Sequence, residues 1–321
     1  MKKKEQAPEP TVEIQPIEYE TQAIEETANV LFKPNKGPQT DFLAASEREV
    51  LYGGSAGGGK SYAMLSDPLR YMGHPAFSGL LLRHTTEELR ELVFKSQELY
   101  PKIWPGIKWS ERKMQWTAPS GARLWMSYLD RDDDVLRYQG LAFSWIGFDE
   151  LTQWSTPYAW NYMRSRLRST APDLPIYMRA TTNPGGRGHH WVKKTFIDPA
   201  PYNRAFDATD TETGEVLRYP AGHAKAGRPL YKRRFIPARL SDNPYLAESG
   251  DYEAMLLSMP EQQRRQLLDG DWDIKEGAAF TEFDRNIHVI EPFDIPSNWV
   301  KFRACDYCHR FGRYDIGCRG R

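Results

Sequence analysis

Short, mostly apolar runs recur along this chain, and between them the apolar positions change to helical spacing. Glu49-Val50-Leu51-Tyr52, Gly79-Leu80-Leu81-Leu82-Arg83, Phe143 to Phe148 and Ile176 to Thr182 are such runs. Their length and near-continuous apolar character predict strands covered on both faces, as in a parallel sheet. Ser61 opens a helix that Pro68 ends or kinks at Asp67, since proline removes a backbone donor and clashes with the preceding turn. Thr85 opens a second helix, with Glu88 three residues on completing a capping box. Leu89, Leu92, Val93 and Leu99 line one face of it. Met114 to Thr117 and Leu124 to Leu129, joined through Pro119-Ser120-Gly121, predict a hairpin. Asp132-Asp133-Asp134 reads as a solvated loop before the next strand, and helical residues then run to Arg168. Tyr231 to Pro237 predicts a strand with a basic edge. Asn243-Pro244 predicts a helix cap and first residue, and Gly270 a helix end. The alternation predicts an α/β fold, a mainly parallel sheet flanked by helices.

The ends differ from this middle. Residues 1–30 are rich in Glu, Pro, Thr and Gln and poor in large apolar groups, so burial cannot offset ordering entropy and a disordered tail is expected. One domain is expected over 31–275, a linker over 276–298, and the start of a second domain over 299–321, where Trp299 to Asp306 predicts a new strand.

Composition narrows the class only a little. Lys+Arg 43 balances Asp+Glu 43, and this neutrality does not exclude a nucleic-acid motor, which needs a basic track rather than a basic whole. No apolar run approaches the length of a membrane span, and Met1-Lys2-Lys3-Lys4 is not followed by a hydrophobic region, so no membrane partner and a cytoplasmic location are expected. The cysteines Cys305, Cys308 and Cys318 all lie near the C-terminus, which leaves the body without a disulfide framework.

The chemistry concentrates at Gly54-Ser55-Ala56-Gly57-Gly58-Gly59-Lys60-Ser61, which satisfies G-x-x-x-x-G-K-[ST] between a strand and a helix. Glycines let the backbone fold around an anion with its N–H groups turned inward, and the helix N-terminus adds partial positive charge. Lys60 would reach the β- and γ-phosphates of ATP, and Ser61 would offer a hydroxyl to Mg²⁺. Further on, an apolar strand ends in Asp149-Glu150. At the C-terminal edge of a parallel sheet, Asp149 suits Mg²⁺ and Glu150 suits activation of an attacking water. This pairing favours hydrolysis over transfer to a small acceptor. Thr181, Thr182 and Asn183 end another central strand, where their polar groups can bond a phosphate or the attacking water.

Taken in order, these residues resemble the large terminase subunit of tailed bacteriophages, the ATPase that packages DNA. The likeness extends over roughly residues 31 to 306. Besides the glycine loop it rests on Tyr138-Gln139-Gly140 leading to Phe148-Asp149-Glu150-Leu151, and on Ala180 to Gly186. Ile236-Pro237-Ala238, Asp242-Asn243-Pro244, and Leu267 to Trp272 followed by Gly277 and Phe280 complete the set. The resemblance implies a P-loop NTPase of the ASCE/RecA-like class, with an additional strand and a catalytic glutamate. It implies Gln39 as an adenine contact, Lys60 and Ser61 on phosphate and Mg²⁺, Asp149 and Glu150 as metal-binding and catalytic acids, and Thr181, Thr182 and Asn183 as a coupling motif. It also implies an arginine finger acting on a neighbour's nucleotide, with Arg137 the first choice and Arg83 the second. The implied setting is a ring, expected to be a pentamer, at the procapsid portal vertex in the host cytoplasm. Its implied partners are double-stranded DNA, portal protein and the small terminase subunit. Lys193, Lys194, Arg233 and Arg234 are candidates for gripping DNA phosphates. A helicase-like ATPase and an inert nucleotide-binding fragment are the alternatives.

The pattern departs from the family at its end. Such subunits carry an RNase H-like nuclease domain, and Asp306 matches its first metal-binding acid. The family would continue with a glycine and an apolar strand, whereas Tyr307 to Arg321 is basic and contains two of the cysteines. A truncation or frameshift near residue 307 is therefore expected, with an incomplete metal site and no nuclease activity. Cys305-Asp306-Tyr307-Cys308-His309 also fits the C-x-x-C-H haem-attachment spacing, but without an export signal, and the set is too small for zinc.

Overall fold

The structure, a computed structural model, describes residues 32–274 and the backbone of 301–308 and 312–319. The expected tail over 1–30 and linker over 276–298 lie outside the described residues, as do Gly277 and Phe280. The chain divides into two compact units, Met1–Ile274 and Lys275–Arg321.

The first unit is built on a nine-stranded sheet ordered β3-β4-β5-β2-β6-β7-β1-β9-β8. In chain order the strands are β1 (Glu49–Gly54), β2 (Ser78–Arg83), β3 (Lys108–Ser110), β4 (Gln115–Thr117) and β5 (Arg123–Tyr128), then β6 (Trp145–Phe148), β7 (Tyr177–Thr182), β8 (Ala205–Asp207) and β9 (Lys232–Ala238). From β5 to β9 every neighbouring pair is parallel. The edges are antiparallel, with β3 and β4 on one side and β8 on the other. Every residue of β1, β6 and β7 is buried, as expected of strands covered on both faces. β7 stands between β1, which carries the glycine loop, and β6, which carries the acids. That is the additional-strand arrangement.

Helices cover the two faces. α1 (Pro38–Ala44) precedes β1, α2 (Lys60–Ser66) follows the glycine loop, and α3 (Thr86–Ile103) follows β2. Pro68 does end α2, whose path continues as a tighter 3₁₀ turn over Asp67–Tyr71. Leu89, Leu92 and Val93 face the core from α3, against Leu81, Leu124 and Trp116. On the opposite side Phe148, Trp160, Met178 and Phe196 meet in the other large cluster. α4 (Tyr158–Arg164), α5 (His189–Val192), α6 (Pro244–Ala247), α7 (Asp251–Leu257) and α8 (Glu261–Arg264) are short. Among the described residues no helix is long and apolar enough to cross a membrane.

Several local expectations are corrected. Thr85 caps α3 by accepting from the Glu88 N–H at 3.3 Å, but the Glu88 carboxylate turns to Arg83, 3.8 Å away, so half of the capping box forms. Asp132 to Asp134 open a 3₁₀ turn to Tyr138, with the Asp134 carboxylate accepting the N–H groups of Asp130 and Arg131. The helix expected to reach Arg168 stops at Arg164. Asn243 sits in the cap position of α6, yet its amide points elsewhere.

In the second unit, β10 (Lys301–Cys308) and β11 (Gly312–Arg319) pair antiparallel, with Asp306 opposite Tyr314. The strand expected to end at Asp306 runs on to Cys308. The side chains of Asp306 and the cysteines lie outside the description.

Candidate active site

β1 delivers its C-terminal end into the glycine loop, and backbone sterics decide which residues fit. Gly54 has φ 138°, and a Cβ there would lie 2.2 Å from the Ala238 carbonyl oxygen. Gly57 and Gly59 both have φ 77°, a left-handed conformation that glycine adopts at little expense. Ser55 is buried, and its N–H and hydroxyl both donate to the Ala238 carbonyl, at 2.8 and 3.0 Å. The Ser55 hydroxyl in turn accepts the Leu240 N–H at 3.1 Å. The Ala56 N–H donates to the Leu267 carbonyl at 2.6 Å, and Tyr52 Oη donates to the Gly58 carbonyl at 2.8 Å. The displaced Asn243 amide donates to the Gly57 carbonyl at 2.6 Å. The loop is thus clamped by β9, its following turn and the segment after α8. Ala238, Leu240, Asn243 and Leu267 were missed by sequence reasoning as parts of the site, because nothing local marks a contact spanning some two hundred residues.

Gln39 lies against the loop, 4% exposed. Its Nε2 donates to the Gly59 carbonyl at 2.9 Å, and its Oε1 accepts the Asn35 N–H at 2.6 Å. The amide braces the loop and keeps one donor and one lone pair for a base edge. Lys60, at the start of α2, is buried, and its Nζ donates to the Ser55 carbonyl at 2.6 Å. Burial pulls its ammonium below the usual range, while the Glu150 and Asp149 carboxylates work in the opposite direction. Lys60 and both acids therefore share one electrostatic site.

Asp149, just past β6, is buried. Thr181 Oγ1 donates to its Oδ1, and Arg83 Nε stands 2.9 Å from its Oδ2. That Oδ2 is within ion-pair reach of Arg83 but receives no well-aligned hydrogen bond. A buried carboxylate oxygen in this condition is a hard donor of the kind Mg²⁺ takes, and the Ser61 hydroxyl in the first turn of α2 is of the same kind. Glu150 follows with φ 59° and ψ 58°, a left-handed conformation that disfavours side-chain-bearing residues by about 1–2 kcal/mol. Its backbone N–H donates to Thr181 Oγ1 at 3.3 Å. Its carboxylate accepts the Asn183 N–H and the Asn183 amide, each at 3.3 Å. Burial, then the Asp149 charge, pushes the Glu150 carboxyl above its ordinary value, while Lys60, Arg83 and the Asn183 N–H pull it down. A carboxyl moved toward neutrality in pKa is suited to general-base work.

Thr181, Thr182 and Asn183 lie beside the acids, and each holds a different partner. Thr182 Oγ1 meets Thr152 Oγ1 at 2.6 Å, and Thr152 reaches the Asn183 carbonyl at 3.2 Å. The loop beyond is tied down by His189, whose Nδ1 accepts the Gly185 N–H at 2.8 Å. His189 Nε2 lies 3.1 Å from the Trp272 carbonyl, and the two rings stack at 5.3 Å.

The candidate arginines separate. Arg83 has only 11% of its side chain exposed and pairs with Asp149 of its own chain, so to act on a neighbour's nucleotide it would first have to leave that pair. Arg137 is 47% exposed, lies over the Tyr128 ring at 5.3 Å and donates to the Tyr128 carbonyl at 2.7 Å. One of the grip residues is corrected. Arg233 is fully buried and pairs with Glu49 at 2.6 Å, because the strand expected to show a basic edge points that side chain into the core. Arg234 donates to Asn203 Oδ1 at 2.7 Å and stands 3.8 Å from Glu47. Lys193 pairs with Asp273 at 2.7 Å, and Lys194 donates to the Glu212 carbonyl.

The family profile described as terminase large subunit, T4likevirus-type, N-terminal, matches residues 51–287. Among solved structures the chain is similar to the large terminase of a thermophilic bacteriophage in complex with ADP. The identity is 17%, with 88% of this chain and 65% of that chain covered and a TM-score of 0.54. The same terminase in complex with ATP-gamma-S matches at 16% identity, over 86% of this chain and 62% of that one, with a TM-score of 0.53. The large-terminase ATPase domain of Thermus phage P74-26 matches at 14% identity, over 75% of this chain and 94% of that one, with a TM-score of 0.47. The chain therefore spans just under two thirds of the length of the ADP-bound terminase. No curated protein matches. At these identities the likeness to the nucleotide-bound terminases establishes the fold.

Proposed function

We propose that this chain, which belongs to the T4likevirus-type terminase large-subunit family, hydrolyses ATP to drive double-stranded DNA through a portal into a procapsid. One observation carries the reading. Lys60, Asp149, Glu150 and Asn183, drawn from the ends of three neighbouring strands, share one partly buried electrostatic site beside the glycine loop.

In this reading the loop N–H groups and Lys60 hold the phosphates, and Ser61 and Asp149 would hold Mg²⁺, which when bound neutralises charge on the β- and γ-phosphates. Glu150 accepts a proton from the attacking water. Asn183, bonded to the Glu150 carboxylate by both its backbone and side chain, orients that base. Hydrolysis alters what Asn183 and Thr181 touch, and Thr182, Thr152 and the His189 loop pass that change toward Trp272. Arg137 acts on the nucleotide of a neighbouring subunit in a ring. Portal protein and the small terminase subunit are the expected partners, in the host cytoplasm at the procapsid vertex.

The test is steady-state ATP hydrolysis by the purified chain, with and without blunt duplex DNA. Turnover that requires Mg²⁺ and rises with duplex is the expected result. Nucleotide binding without turnover would overturn the reading in favour of an inert fragment. Unwinding of the duplex would overturn it in favour of a helicase-like enzyme.

A further inference from the structure

Between β8 and β9 the chain leaves the sheet and returns as a small antiparallel meander. Ala208 and Leu217 pair through a 2.8 Å hydrogen bond, Leu217 and Leu230 through one of 2.9 Å, and Tyr219 and Arg228 through one of 3.0 Å. Successive turns of a meander lie at opposite ends, which separates two turns of opposite charge. The first, over 210–215, carries Asp210, Glu212 and Glu215; the second, over 220–226, carries His223 and Lys225 and is flanked by Arg218 and Arg228. No Asp or Glu occurs between Glu215 and Asp242.

The basic end is ordered by its own side chains. Tyr219 and His223 stack at 4.5 Å with 15° between their planes, and Lys225 lies over the Tyr219 ring at 5.8 Å. Arg218 donates to the Gly227 carbonyl at 2.8 Å, closing the turn. Arg218, Lys225 and Arg228 are exposed, and none has a carboxylate partner among the described residues. This contrasts with Lys193, Arg233 and Arg234, whose charges are answered within the chain.

We propose that the turn over 220–226, through Arg218, Lys225 and Arg228, is the surface that grips the phosphate backbone of duplex DNA, an inference that rests on the packaging reading above. Three unanswered cations on and beside one preorganised turn complement closely spaced phosphates and require no base contacts, as a translocating motor demands. The acidic turn at the opposite end favours one orientation of the meander toward DNA.

The experiment measures affinity of the full chain for blunt duplex across a range of salt concentrations. Each phosphate contact contributes about 0.9 to the slope of log affinity against log salt, so Arg218→Gln, Lys225→Gln, Arg228→Gln together should make it shallower by about 2–3. Because Arg218 also closes the turn, the double change Lys225→Gln, Arg228→Gln is measured as well and should remove about 2. DNA-independent hydrolysis should be unchanged in both. A wild-type slope in both variants would overturn the proposal and point to an acidic protein surface as the occupant. Failure of the unaltered chain to bind duplex at all would overturn the packaging reading, and this proposal with it.

Discussion

Arg83 Nε stands 2.9 Å from Asp149 Oδ2, joining the last residue of β2 to the acid that follows β6. The guanidinium is mostly buried and faces its own chain's site, whereas Arg137 keeps nearly half of its side chain in solvent. The two should therefore behave differently when variant subunits are mixed. Arg137→Ala should lower turnover by about 10³-fold or more, and mixing with Lys60→Ala subunits should restore part of it, since each supplies what the other lacks. Arg83→Ala should also lower turnover, with no rescue on mixing. Equal rescue of both variants would refute the separation.

With Glu150 as the proposed general base, Glu150→Gln should reduce turnover by about 10²–10⁴-fold and leave ATP binding intact, since the loop is untouched. Burial and the Asp149 charge raise the Glu150 pKa, so the carboxylate is protonated earlier than an ordinary glutamate as pH falls. Turnover should fall on the acid side with an apparent pKa above 4.5. A raised carboxylate pKa means that ionised Glu150 opposes folding, so this activity loss should precede any acid unfolding. A flat turnover profile down to the unfolding transition would contradict the assignment.

Glu49 has the opposite sign. Fully buried, it lies 2.6 Å from both Arg164 and Arg233. Burial works to raise its pKa, but the two guanidinium charges outweigh it and the net shift is downward. Its contribution to stability is present above the unfolded value near 4.5 and is lost as pH falls through the lower folded value. Glu49→Gln strands the buried Arg233 charge and should destabilise the fold by about 3–5 kcal/mol, read by denaturant unfolding at neutral pH. A loss below about 1 kcal/mol would show that the pair behaves like a surface bridge.

Gly54→Ala should be poorly tolerated even though the change is a single methyl. The added Cβ would meet the Ala238 carbonyl oxygen at 2.2 Å, and φ 138° is unfavourable for alanine. Overpacking of this kind should lower stability by about 1–3 kcal/mol and weaken nucleotide binding together, since β9 and the loop must part. Thermal unfolding with and without ATP would show both effects, and an unchanged Tm would contradict the clamp.

Local sequence was enough for the elements whose causes are local: the glycine loop, the apolar strands, the Thr85 cap, the break at Pro68 and the end at Gly270. It also directed Lys60, Asp149, Glu150 and Asn183 toward one edge, because strand ends of a parallel sheet converge there. What it left open depends on contacts between distant segments. Only the tertiary structure put β7 between β1 and β6, held the loop against Ala238 and Leu267, and sent Asn243 to Gly57 instead of its own helix. Arg233 and Arg234 are adjacent and identical in type, yet one is buried against Glu49 and the other is partly exposed. Alternation along a strand sends neighbours to opposite faces, and which face is covered is decided by what packs there. Arg83 and Arg137 likewise differ only in what the fold sets beside them.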